Sequence, residues 1–248
     1  MKKNNVLAIA CALLLGGSSA SLCAQESGDW SMTVGADAVS SYLWRGFCSA
    51  GPSIQPSASF DYEKDDWAVS FGYWATTTLS GEPYNEHDFF VEASWKNLTL
   101  SLTDYGYDQY FGPWKKCHDL DFGLSYTLSE DIPVTFSWYS IINKYEDGFM
   151  HGSDKFAWGR AFPSYFEVAY DFSLSVVDFS LSAGVLPFAS GYYDNDTFGV
   201  CNLNLSAGHE FELSNGTTFP VSGQVMYNPM DKGCFWGVSV GYYFSVDL

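Results

Sequence analysis

From Trp30 onward apolar and polar residues alternate with a period of two, the signature of strands with two unlike faces. Trp30, Met32, Val34, Ala36, Ala38, Tyr42 and Trp44 share one face, and Ser31, Thr33, Gly35, Asp37, Ser41 and Arg45 share the other. After a bend at Arg45, Gly46 and Cys48, residues Ile54, Pro56, Ala58, Phe60 and Tyr62 oppose Gln55, Ser57, Ser59 and Asp61. The pattern recurs over 67–73, 89–95, 98–102, 120–128, 134–138, 166–174, 177–185, 203–211, 219–227 and 236–246. That makes about twelve runs, the even number that single-chain bacterial barrels use.

The connections fall into two kinds that alternate. "EKDD", "KN", "SEDI", a tight reversal near Ser175 and "SNGTT" are short, whereas "TTLSGEPYNEH", "YGYDQYFGPWKK", "NKYEDGFMHGSDKFAWGRAFP" and "FASGYYDNDTFG" are long. Short turns at one end and long loops at the other are the asymmetry of outer-membrane barrels, as are aromatic residues at strand ends. A secreted β-sandwich also alternates, but it has no reason to sort its loops by length. The pattern therefore predicts an all-β, antiparallel up-and-down transmembrane β-barrel of about 12 strands, with short periplasmic turns and long extracellular loops. Its apolar face meets lipid and its polar face lines a lumen.

The start of the chain sets the compartment. "MKKNNVLAIACALLLGG" carries two lysines and then an apolar stretch from Val6 to Leu15, and small residues follow in "SSASLCAQ". This is the layout of a secretory signal peptide, and an apolar core of about ten residues is too short for a spanning helix, which needs about 20. Residues 1–24 are the expected signal, with cleavage after Ala24 and Ala20 as the alternative site, and 25–248 the barrel. Lipid attachment at Cys23 is disfavoured by the bulk of Leu22 before it.

All 29 acidic residues lie beyond Ala24, and loss of Lys2 and Lys3 takes the formal charge from −18 to −20. Such a balance argues against nucleic acid as a partner. Aromatic residues are 19% and charged residues 16% of the chain. A soluble domain has about 25% charged residues, so much aromatic surface must be buried in a core or in lipid.

"SSYLWRGFCSAGPSIQPSASFDY" followed by "DDWAVSFGYWATT" resembles the N-terminal hallmark of the TorF-like porin family of exported bacterial β-strand proteins. Ser41, Tyr42, Arg45 and Gly46 carry the likeness, with Pro52, the return strand to Tyr62, and Gly72 and Trp74. It covers about the first fifty residues after the signal and is diffuse beyond them. Cys48 in the bend and Ala-Thr-Thr after Trp74 depart from the pattern. The resemblance implies an outer-membrane barrel of porin type and supplies no catalytic residue. At the other end, Gly241, Phe244 and Val246 stand at the spacing of signals read by the barrel-assembly machinery, although the chain ends in Leu248 rather than Phe. A plain last strand would give the same spacing.

The polar face carries the candidate chemistry. Asp37, Asp61, Asp88, Glu92, Asp119, Asp121, Glu167, Asp171, Asp178, Glu210 and Glu212 point inward, with Arg45 near the outer rim almost the only base among them. Carboxylates so arranged focus a negative potential that attracts cations and repels anions. A satisfied polar plug is the other reading, and inward Trp74, Phe90, Tyr139 and Phe235 are candidates to block the lumen. Cys48, Cys117, Cys201 and Cys234 all fall at the long-loop end, where an oxidising compartment permits disulfides. Closure brings the first and last strands together and favours Cys48 with Cys234, against four free thiols. No CxxC spacing occurs, and only His118 accompanies a cysteine, so no metal and no cofactor is expected. His151-Gly152-Ser153 faintly resembles the His and Ser of outer-membrane lipid hydrolases, but it lies in the longest, Gly-rich loop with no orienting third group.

The sequence thus points to a non-enzymatic channel for passive diffusion of small neutral or cationic solutes. A non-conducting scaffold or surface-binding barrel is the alternative, and a lipid-modifying hydrolase the least favoured. Expected partners are outer-membrane lipid, the assembly machinery and small solutes, and the oligomeric state stays open.

Overall fold

Strands that each bury one face and expose the other satisfy their backbone groups at both edges only by closing into a cylinder. The computed structural model describes residues 29–107, 117–144, 162–213 and 216–248. Fourteen strands form there: β1 (Asp29–Val39), β2 (Tyr42–Trp44), β3 (Phe47–Ala50), β4 (Ser53–Lys64), β5 (Trp67–Thr78), β6 (Asn85–Trp95), β7 (Leu98–Tyr107), β8 (His118–Thr127), β9 (Val134–Ile141), β10 (Ser164–Leu174), β11 (Val177–Leu186), β12 (Gly199–Glu212), β13 (Thr217–Asn228) and β14 (Gly233–Asp247). Twelve of them close an antiparallel barrel in which β1 lies between β14 and β4 and every other neighbour is sequential. The β1 ladder runs from Asp29 opposite Glu63 to Val39 opposite Ser53, and on its other side from Ser31 opposite Asp247 to Val39 opposite Ser239.

Along the wall strands the outward, alternate positions are mostly hydrophobic, and many are exposed. Val34, Phe71, Val91, Leu100, Val168, Leu181, Leu205, Val225 and Val238 belong to a belt that no protein covers. An apolar band of this extent is what outer-membrane barrels present to hydrocarbon. At the short-turn end the belt is edged by aromatic pairs across strands, Trp30 with Tyr62 (ring centroids 5.0 Å apart), Trp67 with Trp95 (6.0 Å) and Phe172 with Phe179 (5.2 Å). The other edge carries Tyr73 with Phe89 (5.1 Å) and Trp138 with Phe166 (6.3 Å).

The short-turn end is as the sequence predicts. Strands β4–β5, β6–β7 and β10–β11 are joined by two residues each, with Asp65, Lys96 and Ser175 in the left-handed region. Long connections lie at the opposite end, apart from 229–232 and from 79–84, which is six residues rather than the long loop expected because β5 and β6 extend to Thr78 and Asn85. The expected signal peptide and cleavage site and His151-Gly152-Ser153 lie outside the described residues.

One element departs from the expected plan. The alternation reads Tyr42 and Trp44 as a continuation of the lipid face of β1, but β1 ends at Val39, and β2 and β3 form a separate two-stranded sheet. Ser40 makes the break: its N–H donates to the Val238 carbonyl and its hydroxyl accepts from the Val238 N–H. The chain then crosses the wall at Gly237, where a Cβ would press on the Ser41 carbonyl. The hairpin therefore folds into the barrel, and the hydrophobic core sits inside the long-loop end. There Tyr139, Tyr165, Leu186, Tyr193 and Cys201 pack with Trp44 and Phe47 of the hairpin.

Candidate functional site

The hairpin turns at Arg45 and Gly46, with Trp44 opposite Phe47. Both turn residues have positive φ, 45° and 97°. Two left-handed residues make the tightest hairpin turn that matches strand twist, and the first of them is an arginine, for which this conformation costs about 1 kcal/mol. Gly46 is required for a second reason, since a Cβ there would collide with the Cys201 carbonyl. Its own carbonyl accepts from Asn228 Nδ2 at 3.2 Å.

Arg45 is held from all sides. Nη2 meets Asp121 Oδ2 at 2.5 Å, and Nη1 donates to the Tyr193 hydroxyl at 2.9 Å. The guanidinium lies 4.2 Å from the centre of the Tyr139 ring, 4.7 Å from that of Trp44 and 5.3 Å from that of Tyr165. Tyr105 donates to the same Asp121 oxygen at 3.0 Å. Arg45 and Asp121 are 6% and 3% exposed, so the charges must be paired. Tyr193 comes from the β11–β12 loop, which is braced by reciprocal backbone bonds between Ser190 and Asn195. Hairpin and loop together thus fill the long-loop end of the lumen.

This corrects two expectations. Arg45 is not a rim residue of the wall but the buried tip of an inward hairpin, and Tyr42 and Trp44 face the lumen. Of the four expected blocking residues, Trp74 and Tyr139 are buried, with the Tyr42 ring tilted against Trp74 at 5.2 Å and Arg45 over Tyr139. Phe90 lies across Gly72 and Phe235 across Gly233, against the wall. The hairpin, which alternation alone does not single out, is the larger obstruction.

The eleven acidic candidates occupy the inner face, opposite in parity to the exposed hydrophobes, but in different settings. Asp37 accepts from Ser239 (3.0 Å) and Tyr243. Asp61 accepts from Ser59 (2.7 Å) and Ser70 (2.5 Å), and Asp178 from Ser173 (2.6 Å). Glu167 accepts from Tyr165 at 2.5 Å and from Asn202 at 3.3 Å. Asp119 pairs with Lys144 at 2.6 Å, a partner at the foot of a long loop that alternation does not reveal. Asp88 is 1% exposed and neither of its oxygens has a hydrogen-bond partner among the described residues. Glu92, Asp171, Glu210 and Glu212 complete the row. Arg45 is the only buried Lys or Arg among the described residues.

The hairpin divides what space remains. On one side Leu43, Trp44 and Arg45 roof a chamber walled by Ser137, Glu167, Asp171, Ser182, Asn204 and Gln224. Tyr42 and Leu43 border a second, larger space that reaches Asp178 and Glu210 near the short turns. Above, Tyr42 and Trp44 floor an outer cup with Glu86, Tyr107 and Tyr192. The same side chains thus face cavities on both sides, and a solute crossing the barrel has to pass them.

Cys48, Cys117, Cys201 and Cys234 are free thiols in the structure, Cys48 and Cys234 exposed and the other two buried. No group of three or more potential metal ligands gathers among the described residues. His118 meets Asp104 at 2.9 Å, and His87 meets the Tyr73 hydroxyl at 2.7 Å.

No family model matches the chain, and no curated protein matches it. Solved structures do. Salmonella typhi OmpF in complex with daunomycin aligns over 89% of this chain and 98% of its own, at 7% identity and a TM-score of 0.36. The beta domain of the Bordetella autotransporter BrkA aligns over 88% and 99%, at 9% identity and 0.35. A substituted porin of Rh. blastica aligns over 89% and 99%, at 10% identity and 0.31.

Proposed function

We propose that the chain is an outer-membrane, porin-like channel for passive diffusion of small neutral or cationic solutes, narrowed by its own inward hairpin. The observation that carries this reading is the lumen wall: among the described residues the acidic candidates and Glu86 face inward with one buried arginine, which is itself spent on Asp121. A narrow passage through a low-dielectric barrel strengthens such a field, so cations enter and anions are repelled. The encircling apolar belt, the aromatic edges and the expected signal peptide support the location. The resemblance of residues 40–77 to the TorF-like porins accords with it.

A second reading is a non-conducting barrel, and the seating of Arg45 favours it, because the hairpin is pinned at both its charge and its backbone. Planar-bilayer recording separates the two. Conductance from the intact protein supports the channel. Silence of the intact protein, with conductance from a variant whose hairpin is replaced by a short Gly-Ser linker, supports the plugged barrel.

A further inference from the structure

We infer that the outer cup above the hairpin is a binding site for a small organic cation bearing an ammonium group. The cup is about 560 Å³, counting its open mouth. Its floor is Tyr42 and Trp44, and its wall is Tyr84, Tyr107 and Tyr192. The rings brace one another around the cavity: the Tyr42 and Tyr84 centroids are 6.2 Å apart and tilted, those of Trp44 and Tyr192 are 6.3 Å apart edge to face, and the hydroxyls of Tyr107 and Tyr192 are 3.3 Å apart. Several aromatic faces around one cavity form a cage of the kind that holds ammonium ions through the ring quadrupoles.

Charge selects the ligand. Glu86 is 3% exposed and accepts from Tyr84 at 2.9 Å, but it makes no ion pair with a Lys or Arg among the described residues. Asp119, the other carboxylate of the cup, is already matched by Lys144. Asp88, two positions along the same face of β6 and 1% exposed, is not part of the cup's lining, so Glu86 is the carboxylate the cup leaves unmatched. Burial of carboxylates without a counter-charge is costly, and a cation entering the cup offsets that cost. A neutral sugar would stack on the same rings but would leave Glu86 uncompensated.

The inference deepens the channel reading by naming a solute class and rests on it only for passage, because binding is measured without conduction. Folded protein in detergent is titrated calorimetrically with choline chloride at fixed ionic strength, with glucose in a parallel titration. Saturable choline binding is expected, weakened about tenfold or more by Glu86→Gln, which keeps the side chain's shape. Gel migration without boiling verifies that the variant is folded. Absence of saturable choline binding, glucose binding in place of choline, or unchanged affinity in folded Glu86→Gln overturns the inference. A silent bilayer with intact choline binding would refute passage and leave the site standing.

Discussion

Arg45 concentrates the constraints of the hairpin in one side chain. It occupies a left-handed position and forms one buried ion pair and one hydrogen bond to a loop tyrosine, with three aromatic rings around it. Removing one partner of a buried pair costs about 3–5 kcal/mol where the other charge stays buried. Here the hairpin can swing outward and let water reach Asp121, so the loss should appear as opening rather than as global unfolding. Arg45→Ala is expected to raise single-channel conductance while the unheated gel band stays in place. Arg45→Lys should fall between, since an ammonium keeps the charge but cannot reproduce the forked contact with Asp121 and Tyr193. Conductance equal to that of the unsubstituted protein in both variants would show that Arg45 does not hold the hairpin.

At the scale of elements, the wall was legible in the sequence and the hairpin was not. Each wall strand is eight residues or longer, so the alternation in Phe166 to Leu174 or Trp236 to Val246 has room to declare itself. Strands of three and four residues do not, and Tyr42 and Trp44 keep the parity of Ala38, which disguises them as more of β1. Two local signals do mark the change of direction. Ser40 puts a polar residue on the apolar face, and Arg-Gly between Trp44 and Phe47 is a two-residue turn dipeptide of the kind that needs positive φ. The acidic row was legible for the same reason as the wall, because parity alone assigns it. The pairings were not, since Asp121 with Arg45 and Asp119 with Lys144 are contacts across the lumen and from a loop, and neither follows from spacing along a strand.

Two predictions belong to this scale. Replacing residues 42–50 by a short flexible linker should leave the barrel closed, because β1 pairs with β4 and β14 along its whole length, and should increase conductance several-fold. A variant that no longer shifts on heating would instead show that the hairpin is part of the fold's stability. Replacing Glu167 and Asp171 together by Gln and Asn removes two carboxylates of the chamber under the hairpin and leaves Arg45 with Asp121 intact. Cation preference should fall in that variant. An unchanged reversal potential would place the selective charges elsewhere.

For the molecule as a whole, closure, the apolar belt and the acidic interior specify three environments: hydrocarbon outside, water at both ends, and a charged interior between. The mature protein is expected in the outer-membrane fraction, migrating differently with and without boiling. Recovery as a soluble periplasmic protein would contradict the membrane reading. The field of the lumen should also be screened by salt, whose screening length falls from about 10 Å at 0.1 M to about 3 Å at 1 M. The reversal potential of the intact, refolded protein in a planar bilayer under a tenfold KCl gradient tests the whole account most directly. A current that reverses toward the potassium equilibrium potential, with a preference that weakens as both solutions are made more concentrated, is the predicted result. Reversal toward the chloride potential, or no current at all, would contradict it.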